Sequence, residues 1–216
     1  MFDLRESAFD DVIFDGTSVP STTKSQAAKR LFDLLAATIL LILAAFCALA
    51  LLLLNPFMNP GPLFYRQERM GHRCRQFTAY KFRSMTQAED GHRGAFDALE
   101  KDRITRLGQF MRQYRIDELP QAFNVLRRDM SVIGPRPDCY DHACVYVREI
   151  PGYRERHQIL PGITGLAQTQ IGYVDGLEGI QRKVAADAHY IRHASMRFDL
   201  WIAWRTIAVI LGRQGS

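Results

Sequence analysis

The sequence predicts an α+β membrane-associated protein: an N-terminal re-entrant (or spanning) membrane helix, interfacial amphipathic helices and a small cytosolic region. Three observations carry this expectation. Leu34–Leu54 (LLAATILLILAAFCALALLLL) has no charge, proline or glycine, and it matches the roughly 20 apolar residues a helix needs to cross a bilayer core. Basic residues flank it on both sides. Beyond it, short helical and extended patterns alternate between Pro- and Gly-rich breaks.

Residues 1–24 read as a flexible acidic tail, with Asp3, Glu6, Asp10, Asp11 and Asp15 among serines and threonines. Residues 25–55 read as the membrane helix and 56–216 as a cytosolic and interfacial domain. The apolar run starts too late, and is too long, for a cleaved signal peptide. Lys24, Lys29 and Arg30 precede it, and Arg66, Arg69, Arg73 and Arg75 follow it. Positive charge marks the cytoplasmic side, so two basic flanks favour a helix that dips in and returns, with a plain span as the alternative. Asn55–Pro62 (NPFMNPGP) is expected to stop the helix.

Leu63–Glu68 and Gln76–Arg83 read as a hairpin around a Gly71 turn, and Thr86–Lys101 as a mobile polar loop. Ile104, Leu107, Met111 and Tyr114 recur at helical spacing, and Leu119, Phe123 and Leu126 mark a second helix over Glu118–Leu126. Pro135, Pro137, Pro161 and the glycines after it make the following stretches loop-rich. Lys183–His193 reads as a helix. Leu200–Leu211 carries Trp201, Trp204, Ile207, Ala208 and Leu211 on one stripe, which suits a membrane interface or a core with two buried tryptophans.

The 216 residues hold 28 Lys and Arg against 23 Asp and Glu, a net charge of +5. Nucleic acid is not expected as a partner, because no recognition motif is present and the membrane run opposes it. Cys47, Cys74, Cys139 and Cys144 form no C-x-x-C pair, so neither a zinc ribbon nor a disulfide framework is predicted. His189 and His193 have zinc-binding spacing but no further ligand nearby. Phosphate loops, dinucleotide fingerprints and nucleophile elbows are absent.

Asp117 and Glu118 are adjacent acids at a predicted helix start. One reading makes Asp117 a helix cap followed by a first-turn Glu. The other is phosphate chemistry. The positive end of the helix keeps Asp117 ionised, Arg106, Arg112 and Arg115 crowd the approach, and Arg127, Arg128 and Arg136 follow. A divalent ion such as Mg²⁺ is commonly held by one or two carboxylates plus substrate phosphates, and arginines grip phosphate oxygens. Gly134-Pro135-Arg136-Pro137 presents one arginine on a backbone restricted by proline on both sides.

These pieces resemble the bacterial sugar transferase family, the small monotopic polyprenyl-phosphate phosphoglycosyl transferases. The resemblance rests on Lys29–Asp33 (KRLFD), Tyr80–Met85 (YKFRSM), Arg115–Pro137 (RIDELPQAFNVLRRDMSVIGPRP) and Pro161–Gln168 (PGITGLAQ), in the family's order and with similar spacing. It implies a small cytosolic α/β catalytic region on the cytoplasmic face of the bacterial inner membrane, surrounded by membrane lipid. It implies that Asp117 attacks the β-phosphate of a UDP-sugar donor, releasing UMP. Polyprenyl (undecaprenyl) phosphate, the acceptor, then takes the phosphosugar from Asp117. Glu118 is implied as a Mg²⁺ ligand, together with Asp117, or as a base; Lys81, Arg112 and Arg136 are implied near the phosphates. Exposed apolar surface admits a homodimer. The alternative is a non-enzymatic membrane-bound scaffold subunit, which would tolerate changes at Asp117, Glu118 and Arg136. One departure stands out. The Ser-Pro pair that breaks the family's membrane helix is replaced by Ala45 and Phe46, so proline's kink mechanism is missing.

Overall fold

The computed structural model describes residues 23–86, 94–97, 100–171 and 176–212. The acidic tail and most of the loop expected over Thr86–Lys101 lie outside the described residues. Helix α1 covers Thr23–Met58, followed by β1 (Phe64–Met70), β2 (Gln76–Phe82), α2 (Arg106–Gln113), α3 (Ala122–Leu126) and β3 (Ser131–Ile133). Then come α4 (Tyr140–Glu149), β4 (Gly162–Thr164), α5 (Leu166–Gln170), α6 (Gly176–His193) and α7 (Met196–Leu211). Helix and sheet are mixed, as expected, with one long apolar helix first.

Helix α1 is uninterrupted. It has no backbone break at Ala45–Phe46, and it runs past Asn55 with Pro56 inside its last turn. The stop therefore falls later than the prolines alone predict. Pro56 has no N–H to donate to the carbonyl one turn back, so the last turn gives up one intrahelical bond. The end is closed instead by Asn59 N–H to Asn55 O at 2.9 Å and by the Asn55 amide to Gly61 O at 2.9 Å. Only 17 % of its most apolar stretch is buried, which is wrong for the core helix of a soluble protein. The buried side chains Asp33, Ala37, Ala44, Leu51 and Asn55 fall on one stripe. Ala37 joins a core with Val125, Met130, Ile133, Tyr190 and Ile202, while Ala44 and Leu51 join Phe82, Leu107 and Met111. The helix thus packs along one side of the body.

Strands β1 and β2 pair antiparallel, with Tyr65 opposite Lys81 and Arg69 opposite Phe77. The turn runs from Gly71, whose N–H donates to Arg75 O at 2.7 Å, and within it Arg73 and Cys74 take the left-handed conformation, at φ 56° and 59°. Strands β3 and β4 pair parallel, Ser131 with Gly162 and Ile133 with Thr164. Helix α4 lies in a stretch read as loop. Its buried face consists of only Ala143 and Tyr146, too sparse a pattern to stand out between proline-rich segments. Helices α6 and α7 start earlier than expected, and Ser195 caps α7 by accepting from Phe198 N–H at 3.3 Å. Trp201 and Trp204 are exposed, as are Leu200, Ile207 and Leu211, while Ile202 and Asp199 face the core. The stripe therefore points outward, which excludes two buried tryptophans.

Candidate active site

Three segments converge on Glu118. Strand β2 brings Lys81, whose ammonium lies 3.8 Å from Glu118 Oε1. The left-handed Arg115, at φ 54°, turns the chain from α2 into a 3-10 turn over Ile116–Gln121 and sends its own guanidinium to Glu118 Oε2 at 3.4 Å. The Gly134–Pro137 loop after β3 brings Arg136, which bridges both Glu118 oxygens, with Nη1 to Oε2 at 3.1 Å and Nη2 to Oε1 in very close contact. This two-pronged grip matches the planar guanidinium to the planar carboxylate.

Asp117 is buried beside Glu118 yet makes no hydrogen bond or ion pair among the described residues. Burial, reinforced by the charge of Glu118, raises its pKa to about 6. Burial also pushes Glu118 upward, but Arg136 and Lys81 more than offset that and hold it far below the usual carboxylate range. The adjacent acids thus have opposite settings: Glu118 is a fixed anion that anchors three cations, and Asp117 is an uncommitted carboxyl near neutrality. This corrects two sequence-based expectations. Asp117 is not a helix cap, since Arg115 precedes the turn and the turn is too short to supply a strong dipole. Nor does a helix end lower its pKa, because desolvation raises it instead.

Burial, and the charge of Arg69 after it, lowers Lys81 to about 7. Arg112, on α2, does not pair with either acid; its Nη1 lies 3.6 Å from Met85 Sδ, and its charge favours the ionised form of Asp117. Arg69 was noticed only as flanking charge. It belongs to the site because residues 65, 67 and 69 share a face with 77, 79 and 81 in the register of the hairpin, placing it beside Lys81. That signal was available in the two-residue period. Asp138, which follows the loop and binds Lys183, Tyr153 and Arg156, was also missed.

The loop itself depends on glycine. A Cβ at Gly165 would sit 2.1 Å from Gly134 O, and one at Gly162 would sit 2.1 Å from Gly134 N. The PGITGLAQ segment can therefore lie against the Arg136 loop only without side chains there. Among the described residues no three His, Cys, Asp or Glu gather as metal ligands. The donor set fits Mg²⁺ held by Asp117, with or without Glu118, and completed by phosphate and water oxygens; it does not fit an all-protein cage. A cleft of about 380 Å³, bounded by Glu68, Thr78, Tyr80, Arg127 and Asp129, lies elsewhere and contains none of these groups.

The sequence model of the family described as bacterial sugar transferase matches residues 24–213, and the chain belongs to that family. It is 43 % identical over 188 residues to a UDP-N-acetylgalactosamine-undecaprenyl-phosphate N-acetylgalactosaminephosphotransferase of Aeromonas hydrophila, covering 87 % of this chain and 44 % of that protein. It is 41 % identical over 185 residues to a UDP-glucose:undecaprenyl-phosphate glucose-1-phosphate transferase of Caulobacter vibrioides, covering 85 % and 69 %. The exopolysaccharide production protein PSS of Rhizobium leguminosarum bv. phaseoli is 36 % identical over 192 residues, covering 86 % and 96 %. The chain thus spans less than half of the Aeromonas relative.

Proposed function

We propose that the protein transfers a sugar phosphate from a UDP-sugar to polyprenyl phosphate through a covalent intermediate on Asp117. The observation that carries this reading is the asymmetry of the dyad, in which Glu118 absorbs the cations and Asp117 stays free. An ionised Asp117 oxygen attacks the β-phosphorus of the donor. The bond from that phosphorus to the bridging oxygen breaks, and UMP leaves with the electron pair. The aspartyl phosphosugar is then attacked at phosphorus by a phosphate oxygen of the polyprenyl carrier, which breaks the acyl phosphate bond and restores the carboxylate.

Lys81, Arg112 and Arg136 supply positive charge where the transferred phosphoryl group gains negative charge. Asp117, with or without Glu118, would hold Mg²⁺, which when bound neutralises phosphate charge. The names of the Aeromonas and Caulobacter relatives, both UDP-sugar and undecaprenyl-phosphate transferases, support this donor and acceptor. The apolar helix is consistent with membrane association, and we place the catalytic body at the cytoplasmic face, where nucleotide sugars are made.

The test is the mass of the full-length protein incubated with donor alone. A sugar-phosphate adduct on Asp117, with release of one equivalent of UMP, is expected. In Asp117→Asn both disappear, and turnover falls by about 10³-fold or more. Undiminished turnover by that variant would sink the assignment.

A further inference from the structure

The sequence Gly134-Pro135-Arg136-Pro137-Asp138 has an unusual mechanical property. Two of its five residues have no N–H, so main-chain anchoring falls largely on carbonyl oxygens. All three carbonyls around Arg136 are held. Pro135 O accepts from Gly162 N–H at 2.9 Å, Arg136 O from Arg156 Nη2 at 2.8 Å and Pro137 O from Arg69 Nη1 at 2.6 Å. We propose that Arg69 and Arg156, neither of which pairs with Glu118, are positioning residues. By gripping consecutive carbonyls, they set the direction in which Arg136 meets Glu118.

Arg156 is built for this task. It is 2 % exposed, stacks 4.8 Å from the centre of the Tyr153 ring, and is bound by Asp187 through Nε at 3.0 Å and Nη2 at 2.8 Å. Its Nη1 reaches Asp138, which also accepts from Tyr153 Oη at 2.6 Å and Lys183 Nζ at 2.5 Å. A buried arginine balanced by two carboxylates has no need of a further carbonyl, yet this one spends a donor on Arg136 O. Among the described residues Arg69 has no carboxylate ion pair. Its other Nη goes to Gln67 Oε1 at 2.5 Å and its Nε is buried without a bond. Two guanidinium groups therefore sit where a lysine could bring charge but not the fork of donors.

The inference rests on the proposed covalent reaction, and one experiment separates the two. Adduct formation from donor alone is timed in purified full-length protein and in Arg69→Lys, Arg156→Lys and Arg136→Lys. The doubles combining each of the first two with Arg136→Lys are timed as well, and every rate is normalised to the folded fraction. Each single change is expected to slow adduct formation roughly 10- to 100-fold, the range for losing one charge-assisted hydrogen bond. Each double should be no slower than Arg136→Lys alone, because the clamp acts only through Arg136. Ballast in the core predicts instead lower folded fractions with normalised rates unchanged, or losses that multiply in the doubles, and either result overturns the clamp. Should Arg156→Lys not fold, Arg69→Lys on the half-exposed hairpin carries the same comparison. Wild-type protein that forms no adduct refutes the covalent reaction itself, whereas equal adduct rates in wild type and variants refute the clamp alone.

Discussion

At Asp117, desolvation and the charge of Glu118 push the same way, and Lys81 is pushed down toward the same pH from above. Asp117 lies near 6 and Lys81 near 7, and only one combination of charges suits the proposed chemistry: Asp117 ionised and Lys81 protonated. The pH profile of kcat/KM should therefore be a narrow bell with its maximum between about 6 and 7. It should rise as Asp117 loses its proton and fall as Lys81 does. Lys81→Arg, whose charge does not titrate in this range, should remove the alkaline limb, and a limb that persists would place its origin elsewhere. The same desolvation has a consequence for stability. The folded chain binds the Asp117 proton more tightly than the unfolded chain does, so stability from this group is full below about pH 4 and is lost as pH rises through about 6. Asp117→Asn, which has no charge to desolvate, should then be more stable than wild type at pH 7.5, by about 1–3 kcal/mol. Thermal unfolding of the two proteins in the same detergent checks this, and a destabilised variant would contradict it. The adjacency of the acids was legible in the sequence, as was the supply of arginines. Which acid would be tied up was not, because that depends on β2 and the Arg136 loop reaching Glu118 rather than Asp117 from elements far apart in the chain.

The KRLFD segment acts as a joint between α1 and the catalytic body. Lys29 Nζ lies 2.9 Å from Asp199 Oδ2 and donates to Ile133 O at 3.3 Å, and Tyr190 Oη donates to Asp199 Oδ1 at 2.7 Å. Arg30 caps α3 by donating to Val125 O at 2.8 Å and Leu126 O at 3.0 Å. Asp33 is buried and accepts from Ser131 Oγ and Val132 N–H, both at 3.0 Å. Helix α1 is thus hydrogen-bonded to β3, immediately upstream of the Gly134–Pro137 loop. Asp33→Ala would leave a buried hydroxyl and a buried N–H without partners, and should destabilise the fold by about 2–4 kcal/mol. Asp33→Asn, which keeps an acceptor, should lose less. Urea unfolding of both variants gives the comparison, and equal losses would show that charge rather than acceptance matters here. Such joints explain what could be read in advance. The apolar run, the hairpin and α2 announce themselves by local period, and the structure has all three. Helix α4 and the parallel pairing of β3 with β4 leave almost no local trace, since their few apolar residues are satisfied by partners distant in sequence. The end of α1 was misplaced for the same reason: Asn55 and Asn59 hold the last turn through Gly61 O and Arg83 O, contacts a proline count cannot foresee.

For the whole molecule, the disposition of α1 follows from its length and from what holds its ends. Thirty-six residues make a helix of about 54 Å, far longer than the roughly 30 Å hydrocarbon core. Its start is bound to Asp199, Ile133 O and the end of α3, its middle packs on Phe82, Leu107 and Met111, and Asn59 just past its end donates to Arg83 O at 2.7 Å. A body attached along the whole helix cannot stay in water while the helix crosses the bilayer. The sequence favoured re-entry, with a span as the alternative, and α1 shows no chain reversal at Ala45–Phe46. The alternative consistent with these contacts is a helix that sinks alongside its own body. Its outer face carries Ile39, Ile42, Phe46, Leu49, Leu53 and Phe57, all exposed, and α7 adds Trp204, which is 68 % exposed, and Leu211. Burying these side chains in lipid would satisfy apolar surface that water would otherwise contact, and tryptophan suits the boundary between acyl chains and headgroups. Both ends of α1 should then face the same compartment. In a variant without the four native cysteines, single cysteines at Gln26 and at Gly61 should both resist a membrane-impermeant maleimide in intact cells and both react in inverted vesicles. Labelling of Gln26→Cys from outside would mean that the bonds of Lys29 and Arg30 to the body are broken in the membrane and that the helix spans it. Brominated lipids offer an independent reading. They should quench Trp204 strongly in a Trp201→Phe variant, where it is the sole tryptophan, and a Trp204 emission unaffected by them would detach α7 from the bilayer surface.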